Sequence, residues 1–228
     1  MKFNFNYEKP KIVAEIGCNH MGDMIIAKEL IDLAKQSGAE YVKFQKRNNT
    51  ELLSKNKYNS PHPTPQNSYG DTYGAHREFL EFDINQNKEL KEYCERIGVV
   101  YSSSVWDVTS AKEMITFEPE FLKVPSACNN NFKMLEVLRD EFKGQVQLSI
   151  GMTTKDEVEN IVSFFEEKNQ AKSRLLIYSC TSGYPVPAQD VALLEINWLY
   201  SNYGNRVNSI GFSGHHLGIA VDIAAYAL

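Results

Sequence analysis

The sequence has few cysteines, no long apolar run and no excess of positive charge, and each absence excludes a class of protein. The four cysteines contain no CxxC pair, which excludes a zinc ribbon or a dense disulfide framework. No apolar run approaches the ~20 residues of a membrane helix, and the start, MKFNFNYEKPK, lacks the apolar region of a signal peptide. The net charge of −5 argues against a nucleic-acid or anionic membrane surface, because both need clustered Lys and Arg. We therefore expect a cytoplasmic protein that binds neither nucleic acid nor membrane.

Short apolar runs alternate with longer amphipathic segments along the chain. The runs predict strands at 11–17, 40–45, 99–104, 120–126, 145–151, 174–180 and 209–214. The segments between them predict helices at 23–38, 85–97, 108–117, 129–141, 154–167 and 189–202, with another beginning at 218. This alternation is typical of parallel strands joined by crossover helices, and no linker divides residues 1–228 into more than one domain.

Two α/β architectures compete for this pattern. A doubly wound open sheet needs a phosphate-binding glycine signature after its first strand, and the glycine spacing of GCNHMGD (17–23) does not match one. We therefore favour a TIM (β/α)8-type barrel. Seven of the eight βα units are predicted, and the sequence ends in IAVDIAAYAL without a helix C-cap, so we expect the barrel to be incomplete at the C-terminus. The long irregular stretch 47–79 is expected to form an ordered cover over the active site.

Polar residues stand at the carboxyl end of every predicted strand, where the active sites of TIM barrels lie. They are Glu15, Cys18, Asn19, His20, Lys43, Gln45, Ser102, Ser103, Ser104, Lys123, Ser126, Ser149, Thr181, Ser182, Tyr184, Ser213, His215 and His216. Lysines and hydroxyls that converge on one mouth suit the oxygens of a small phosphorylated acid. Taken singly, Lys43 or Lys123 could instead be a snorkelling or ion-paired lysine. Lys123 could also form a Schiff base, as in class I aldolases.

Three other residues admit more than one role. His215 follows a strand beside Gly214 and is placed to bind Mn, Zn or Fe, although one histidine does not make a metal site. His216 points to the opposite side of an extended backbone and is expected to pack or to support its neighbour. Glu15 is either a general acid or base, or the ion-pair partner of Lys43 inside the barrel.

Ordered motifs across nearly the whole chain resemble those of the sialic acid (N-acetylneuraminate) synthase family. They are AEIGCNHMGD (14–23), GAEYVKFQK (38–46), LSIGMTT (148–154), SCTSGYPVPAQDV (179–191) and GFSGHHLGIAVDIAA (211–225). The stretch SYGDTYGAHREFLEF (68–82) is similar to the branch that includes the animal sialic acid phosphate synthases.

The resemblance implies a TIM barrel followed by a small antifreeze-like domain that reaches into the partner's active site in a homodimer. It implies condensation of phosphoenolpyruvate with N-acetylmannosamine, its 6-phosphate or a related N-acetylated sugar, with a divalent metal, Mn or Mg. Glu15 matches an acidic active-site position, and His215 matches a metal-binding histidine. The positions that match phosphoenolpyruvate-binding residues are Lys43, Ser104, Lys123, Ser126, Ser149, Ser182, Tyr184 and Ser213. Glu15, Lys43, Lys123 and His215 are the predicted catalytic residues.

The sequence departs from the family pattern at some of these motifs. Strand four continues as KVPSAC (123–128), so that Cys128 stands where a sugar-contacting carboxylate is usual, and Gly214 replaces an Asp common in bacterial members. The family's second metal-binding histidine belongs to an eighth strand. Two alternatives therefore stay open. One is another phosphoenolpyruvate-dependent aldol synthase, although those acting on arabinose or erythrose phosphates lack the NHxGD and CTSxYP motifs. The other is an inactive ligand-binding barrel.

We expect a polypeptide ending at Leu228 to be inactive, because it lacks the second metal ligand and the closing barrel unit that the resemblance implies. Purified protein of this length should release no phosphate from phosphoenolpyruvate in a coupled phosphate assay with N-acetylmannosamine and Mn. Steady, sugar-dependent release would contradict the prediction.

Overall fold

The strands of the computed structural model, which describes residues 9–228, correspond one to one with those predicted. They are β1 (Val13–Gly17), β2 (Tyr41–Lys46), β3 (Val100–Val105), β4 (Phe121–Val124), β5 (Gln145–Ser149), β6 (Leu175–Ser179) and β7 (Ser209–Phe212). Residues 1–8 lie outside the described residues. They make up most of the stretch MKFNFNYEKPK, in which the sequence predicts no signal peptide.

The strands form one parallel sheet in the order β1-β2-β3-β4-β5-β6-β7 within residues 9–228. A doubly wound sheet would reverse its strand order at a switch point, so this sequential order excludes that alternative. Parallel strands that follow one another and alternate with helices build a partial (β/α) barrel. In the described part of the chain β1 and β7 are the edges of the sheet and do not pair with each other.

Helices connect the strands. They are α1 (Met24–Gln36), α2 (Asn49–Leu52), α3 (Lys55–Tyr58), α4 (Tyr73–Phe79), α5 (Ile84–Ile97), α6 (Val108–Met114), α7 (Phe132–Asp140), α8 (Lys155–Glu166), α9 (Ala171–Arg174), α10 (Glu195–Tyr203) and α11 (Ala220–Tyr226). None of the helices within residues 9–228 has the length and apolarity that a membrane crossing requires. The helix predicted from residue 189 starts late, at Glu195, because the chain first makes a 3-10 turn over Ala188–Asp190. There the Asp190 carbonyl accepts a hydrogen bond from Thr181 Oγ1 at 3.3 Å.

The stretch 47–79, predicted to be irregular, is instead built from the short helices α2, α3 and α4 and a 3-10 turn at Pro65–Asn67. Side chains of Asn48, Ser54 and Thr72 accept hydrogen bonds from the first turns of the three helices. Helices this short contain too few residues to show an amphipathic period, which is why the sequence pattern missed them. The expectation of an ordered segment agrees with this structure, whereas the prediction of irregular backbone was wrong.

Alternation along the strands separates an apolar face from a polar face. Residues such as Phe44, Leu122 and Leu148 belong to the buried hydrophobic core beneath the helices. Their neighbours in sequence, among them Lys43, Lys123 and Ser149, point to the other face because side chains alternate along a strand. The core therefore supplies stability on one side of the sheet and leaves the other side for chemistry.

Replacing Leu148 by Ala should lower the free energy of unfolding by about 2–5 kcal/mol, because the side chain is 0% exposed and its removal leaves a cavity between sheet and helices. Urea denaturation followed by circular dichroism measures the loss. The matched control is Leu33→Ala on α1, which is 56% exposed and should change stability by less than about 0.5 kcal/mol. Equal losses in both variants would contradict the placement of the core.

Candidate active site

Two lysines face the polar side of the sheet from strands that flank β3. Glu15 lies opposite Lys43 in the pairing of β1 with β2, and Ser104 lies opposite Lys123 in the pairing of β3 with β4. The Lys43 ammonium lies 3.2 Å from Ser104 Oγ and contacts the Glu15 carboxylate. Both lysines are only 8% exposed. The structure therefore brings two predicted site cations, a hydroxyl and a carboxylate together.

Burial and mutual repulsion act on the lysine charges. Burial, followed by the positive charges of Lys123 and Arg47, lowers the pKa of Lys43 well below its usual value. Burial likewise lowers the pKa of Lys123. Within residues 9–228, Lys43 has the Glu15 carboxylate as a partner and Lys123 has no ion pair. The two lysines therefore have only partial compensation by acidic side chains within the described residues, as expected of a site for an anion.

His215 lies beside this cluster, near the ends of β6 and β7. Its Nδ1 is 3.9 Å from Cys180 Sγ, and its ring lies 4.4 Å from the ring of Tyr184, centroid to centroid. Burial, then the charges of Lys123 and Lys43, lowers the pKa of His215. Because both lysines act on His215, the imidazole and the ammonium groups share one electrostatic environment.

Serine hydroxyls surround the same mouth. An ideal Cβ built on Gly151 would lie 2.5 Å from Ser182 Oγ and 2.7 Å from Ser126 Oγ, so these hydroxyls converge where only a glycine leaves room. Ser126 Oγ is also 3.6 Å from Cys180 Sγ. The Ser149 hydroxyl is buried without a hydrogen-bond partner within the described chain, which leaves it available to a ligand.

The remaining predicted residues divide into two groups. Ser213 lines a narrow cleft together with Thr181 and His215. Glu15 takes the ion-pair position beside Lys43, one of the roles expected for it. His20, in contrast, packs in the core, where its ring stacks on Phe82 at 4.0 Å and burial lowers its pKa to about 4. His216 lines the cleft beside Ser213, and its Nε2 lies 3.2 Å from the Asp222 carboxylate.

The donor set does not by itself make a metal centre. Within residues 9–228 no three His, Cys, Asp or Glu side chains converge to hold a metal ion. Mn and Mg prefer several oxygen ligands, whereas His215 has the Cys180 thiol and the Tyr184 ring as neighbours. A divalent ion at His215 would therefore need further ligands from outside the described residues.

Arg47 is a residue of this mouth that was not predicted from the sequence. It follows β2 on the same alternation as Lys43 and Gln45, and its side chain is 10% exposed. Its guanidinium stacks on the Trp106 ring at 4.4 Å. A reading of every second residue past the end of β2 would have found it.

A cavity of about 230 Å³ lies elsewhere, between α8 and α10, where Thr154, Val158 and Trp198 line it. It contains none of the predicted site residues. The chemistry of the chain is therefore concentrated at the open mouth formed by the strand ends.

These features define a class: a partial (β/α) barrel-type domain whose strand ends carry a cluster of lysines and serines. Residues 30–228 match the NeuB family, and the chain belongs to that family. The recognition of a sialic acid synthase family from sequence motifs is confirmed.

Named relatives agree with this assignment. The chain is 35% identical over 217 residues to N-acetylneuraminate-9-phosphate synthase of Homo sapiens, covering 95% of this chain and 58% of that protein. It is 28% identical over 221 residues to N,N'-diacetyllegionaminic acid synthase of Campylobacter jejuni, covering 97% of this chain and 65% of the relative. The crystal structure of an N-acetylneuraminic acid (sialic acid) synthetase from Leptospira borgpetersenii, in complex with citrate, superposes with a TM-score of 0.81 at 30% identity. That superposition covers 96% of this chain and 69% of the other. The chain thus spans only part of the length of these proteins.

Replacing Lys123 by Met should stabilise the fold by roughly 1 kcal/mol, because it removes a buried charge that has no acidic partner within the described chain. It should also abolish the phosphoenolpyruvate binding that the resemblance of the sequence motifs leads us to expect. The folded-state pKa of Lys123 lies below its unfolded value, so the unfolded chain binds more protons and the stability of the unmodified protein rises with pH toward about 10.4. The stabilisation should therefore shrink at alkaline pH. Urea denaturation between pH 7 and 10 measures it.

The matched control is Lys46→Met. Lys46 is equally buried but faces the helices, 3.2 Å from the Glu113 carboxylate. Its replacement should slightly destabilise the fold and leave phosphoenolpyruvate binding unchanged by calorimetry. A Lys123→Met protein that loses stability or still binds phosphoenolpyruvate would contradict the assignment of Lys123 to an anion site.

Proposed function

We propose that the protein is a nonulosonic (sialic-type) acid synthase, which condenses phosphoenolpyruvate with N-acetylmannosamine or a related N-acetylated sugar and releases phosphate. Membership of the NeuB family supports carbohydrate biosynthesis. The observation that supports the specific reaction is the convergence of Lys43 and Lys123 on one mouth, where within residues 9–228 Glu15 pairs with Lys43 and Lys123 has no ion pair. A cluster so poor in negative charge favours a polyanionic substrate.

The side chains divide the work of binding. Lys43 and Lys123 supply charge, and the hydroxyls of Ser104, Ser126 and Ser149 supply neutral donors to phosphate and carboxylate oxygens. Ser182, Ser213 and Tyr184 complete the same mouth from the ends of β6 and β7. Because most of these residues lie on or directly after strands, the donors are held in place before the substrate arrives.

In the proposed reaction, phosphoenolpyruvate and the sugar are bound side by side in the mouth. The C3 carbon of phosphoenolpyruvate forms a bond to the aldehyde carbon of the open-chain sugar, whose oxygen takes a proton. Water adds to C2 and loses one proton, and the C2–O bond to the phosphate then breaks as the new C2 hydroxyl gives its remaining proton to the departing phosphate, which leaves a ketone and inorganic phosphate. The contact of Glu15 with Lys43 and its half-exposed side chain support a role for Glu15 in proton transfer. Fixing both reactants in one mouth replaces an encounter of free molecules.

Other properties of the whole protein belong to the same proposal. A divalent ion, Mn or Mg, would polarise the sugar aldehyde, with His215 as one ligand and the remaining ligands outside residues 9–228. The full-length protein would act as a homodimer with an antifreeze-like domain, and this chain would be its synthase barrel. The free thiols of the chain support a cytoplasmic site of action.

The full-length gene product should consume phosphoenolpyruvate and release one phosphate per sugar only when an N-acetylated sugar and Mn or Mg are present, as followed by a coupled phosphate assay and by mass spectrometry of the product. Ser149→Ala should raise the KM for phosphoenolpyruvate about tenfold with little change in stability, because Ser149 Oγ has no hydrogen-bond partner within the described chain.

Two results would contradict the proposal. Consumption of arabinose or erythrose phosphates in preference to N-acetylated sugars would assign a different aldol synthase. Covalent trapping of a keto acid on Lys123 by borohydride would assign Schiff-base chemistry instead.

A further inference from the structure

Arg47 occupies a level of the mouth beyond the two lysines. It lies four residues after Lys43 on the same alternation, which at about 3.3 Å per residue puts its backbone roughly 13 Å further toward the open end. Its charge still acts on Lys43, Cys128 and Tyr184. The guanidinium therefore belongs to the mouth, at the end away from the lysine pair.

The contacts of Arg47 leave one edge of its guanidinium free. Nη1 donates to Glu81 Oε1 at 3.3 Å and to Cys18 Sγ at 3.4 Å, and the flat face lies on Trp106. Within the described residues, Nε and Nη2 donate no hydrogen bond. These two donors form the side-on fork that binds two oxygens of a carboxylate or phosphate.

The surroundings do not neutralise this charge. Glu81 is shared, because Arg77 Nη2 also lies 3.5 Å from its Oε1, so two guanidinium groups meet one carboxylate. Asp107 accepts hydrogen bonds from Asn48 N and from the amide and hydroxyl of Ser110 at 2.7 to 2.8 Å. Burial raises the pKa of the Cys128 thiol to about 11, so that it is uncharged at neutral pH. A buried cation without full compensation favours an anionic ligand.

We propose that Arg47 is a specificity-determining residue that binds a phosphate ester on the sugar acceptor, at the end of the sugar away from the reacting aldehyde. This inference rests on the proposed function, which places phosphoenolpyruvate at Lys43 and Lys123. The same fork could bind the carboxylate of phosphoenolpyruvate. The position of Arg47 beyond the lysine pair, among residues that follow β1, β2 and β3, favours the acceptor.

The test compares N-acetylmannosamine 6-phosphate with N-acetylmannosamine as acceptors of the full-length protein. Arg47→Gln should raise the KM for the phosphorylated sugar about tenfold or more and leave the KM for the neutral sugar and for phosphoenolpyruvate unchanged. Arg47→Lys keeps the charge without the fork and should give an intermediate KM. Lys46→Met, the matched control, removes a neighbouring buried cation that faces the helices and should change neither KM by more than about twofold.

The other possible outcomes either overturn the inference about Arg47 or test it separately from the proposed function. An increased KM for phosphoenolpyruvate alone in Arg47→Gln would move the bound oxyanion to that substrate and overturn the inference. Equal use of both acceptors by the unmodified protein would overturn it as well. If no acceptor supports phosphate release, the proposed function fails, and calorimetry then tests the role of Arg47 separately. If the unmodified protein binds the sugar phosphate and Arg47→Gln does not, the inference is supported. If the two proteins do not differ in binding, the inference is overturned. Circular dichroism melts confirm that each variant is folded.

Discussion

The alternation of side chains along parallel strands is the constraint on which the rest of the structure depends. On β2 it places Phe44 in the core and Lys43 in the mouth, so that a charge is buried on a strand whose other face packs Val42 and Phe44 in the core. A lysine held in this way cannot move to solvent without moving the sheet. The electrostatic field of the mouth is therefore fixed by the packing of the opposite face.

This arrangement lowers the stability of the free protein and leaves buried polar groups available to a ligand. Lys123 is buried without an ion pair in the described residues, and Ser149 Oγ is buried without a hydrogen bond. Both features cost free energy in the free protein. An anion that accepts hydrogen bonds from these groups recovers that free energy on binding, with little reorganisation of the donors. The core, which includes Leu148 and Phe165, offsets the cost.

Sequence patterns predicted the strands well because each depends on local alternation and on a run of apolar residues, as at Val146 and Leu148 on β5. The polar ends of those strands followed directly from the barrel hypothesis. Contacts across the sheet were less accessible. From the sequence, an ion pair with Lys43 was only one of the roles open to Glu15. The stacking of His20 on Phe82, away from the mouth, depends on the conformation of the loop after β1, which the sequence pattern does not give. Arg47 was missed because it lies just past its strand, where alternation is no longer guaranteed.

The two levels of the mouth share one electrostatic design. At the inner level, Glu15 contacts Lys43 while Lys123 has no ion pair within the described residues, and at the outer level Arg47 shares Glu81 with Arg77. In each case one carboxylate orients a cation without cancelling the charge of the pair. If only one of the two substrates were anionic, it would neutralise the positive charge of one level, and the positive charge of the other level would stay buried without a counter-charge. Two anionic groups at opposite ends of the mouth would compensate both, and the proposed phosphorylated acceptor would supply them together with phosphoenolpyruvate.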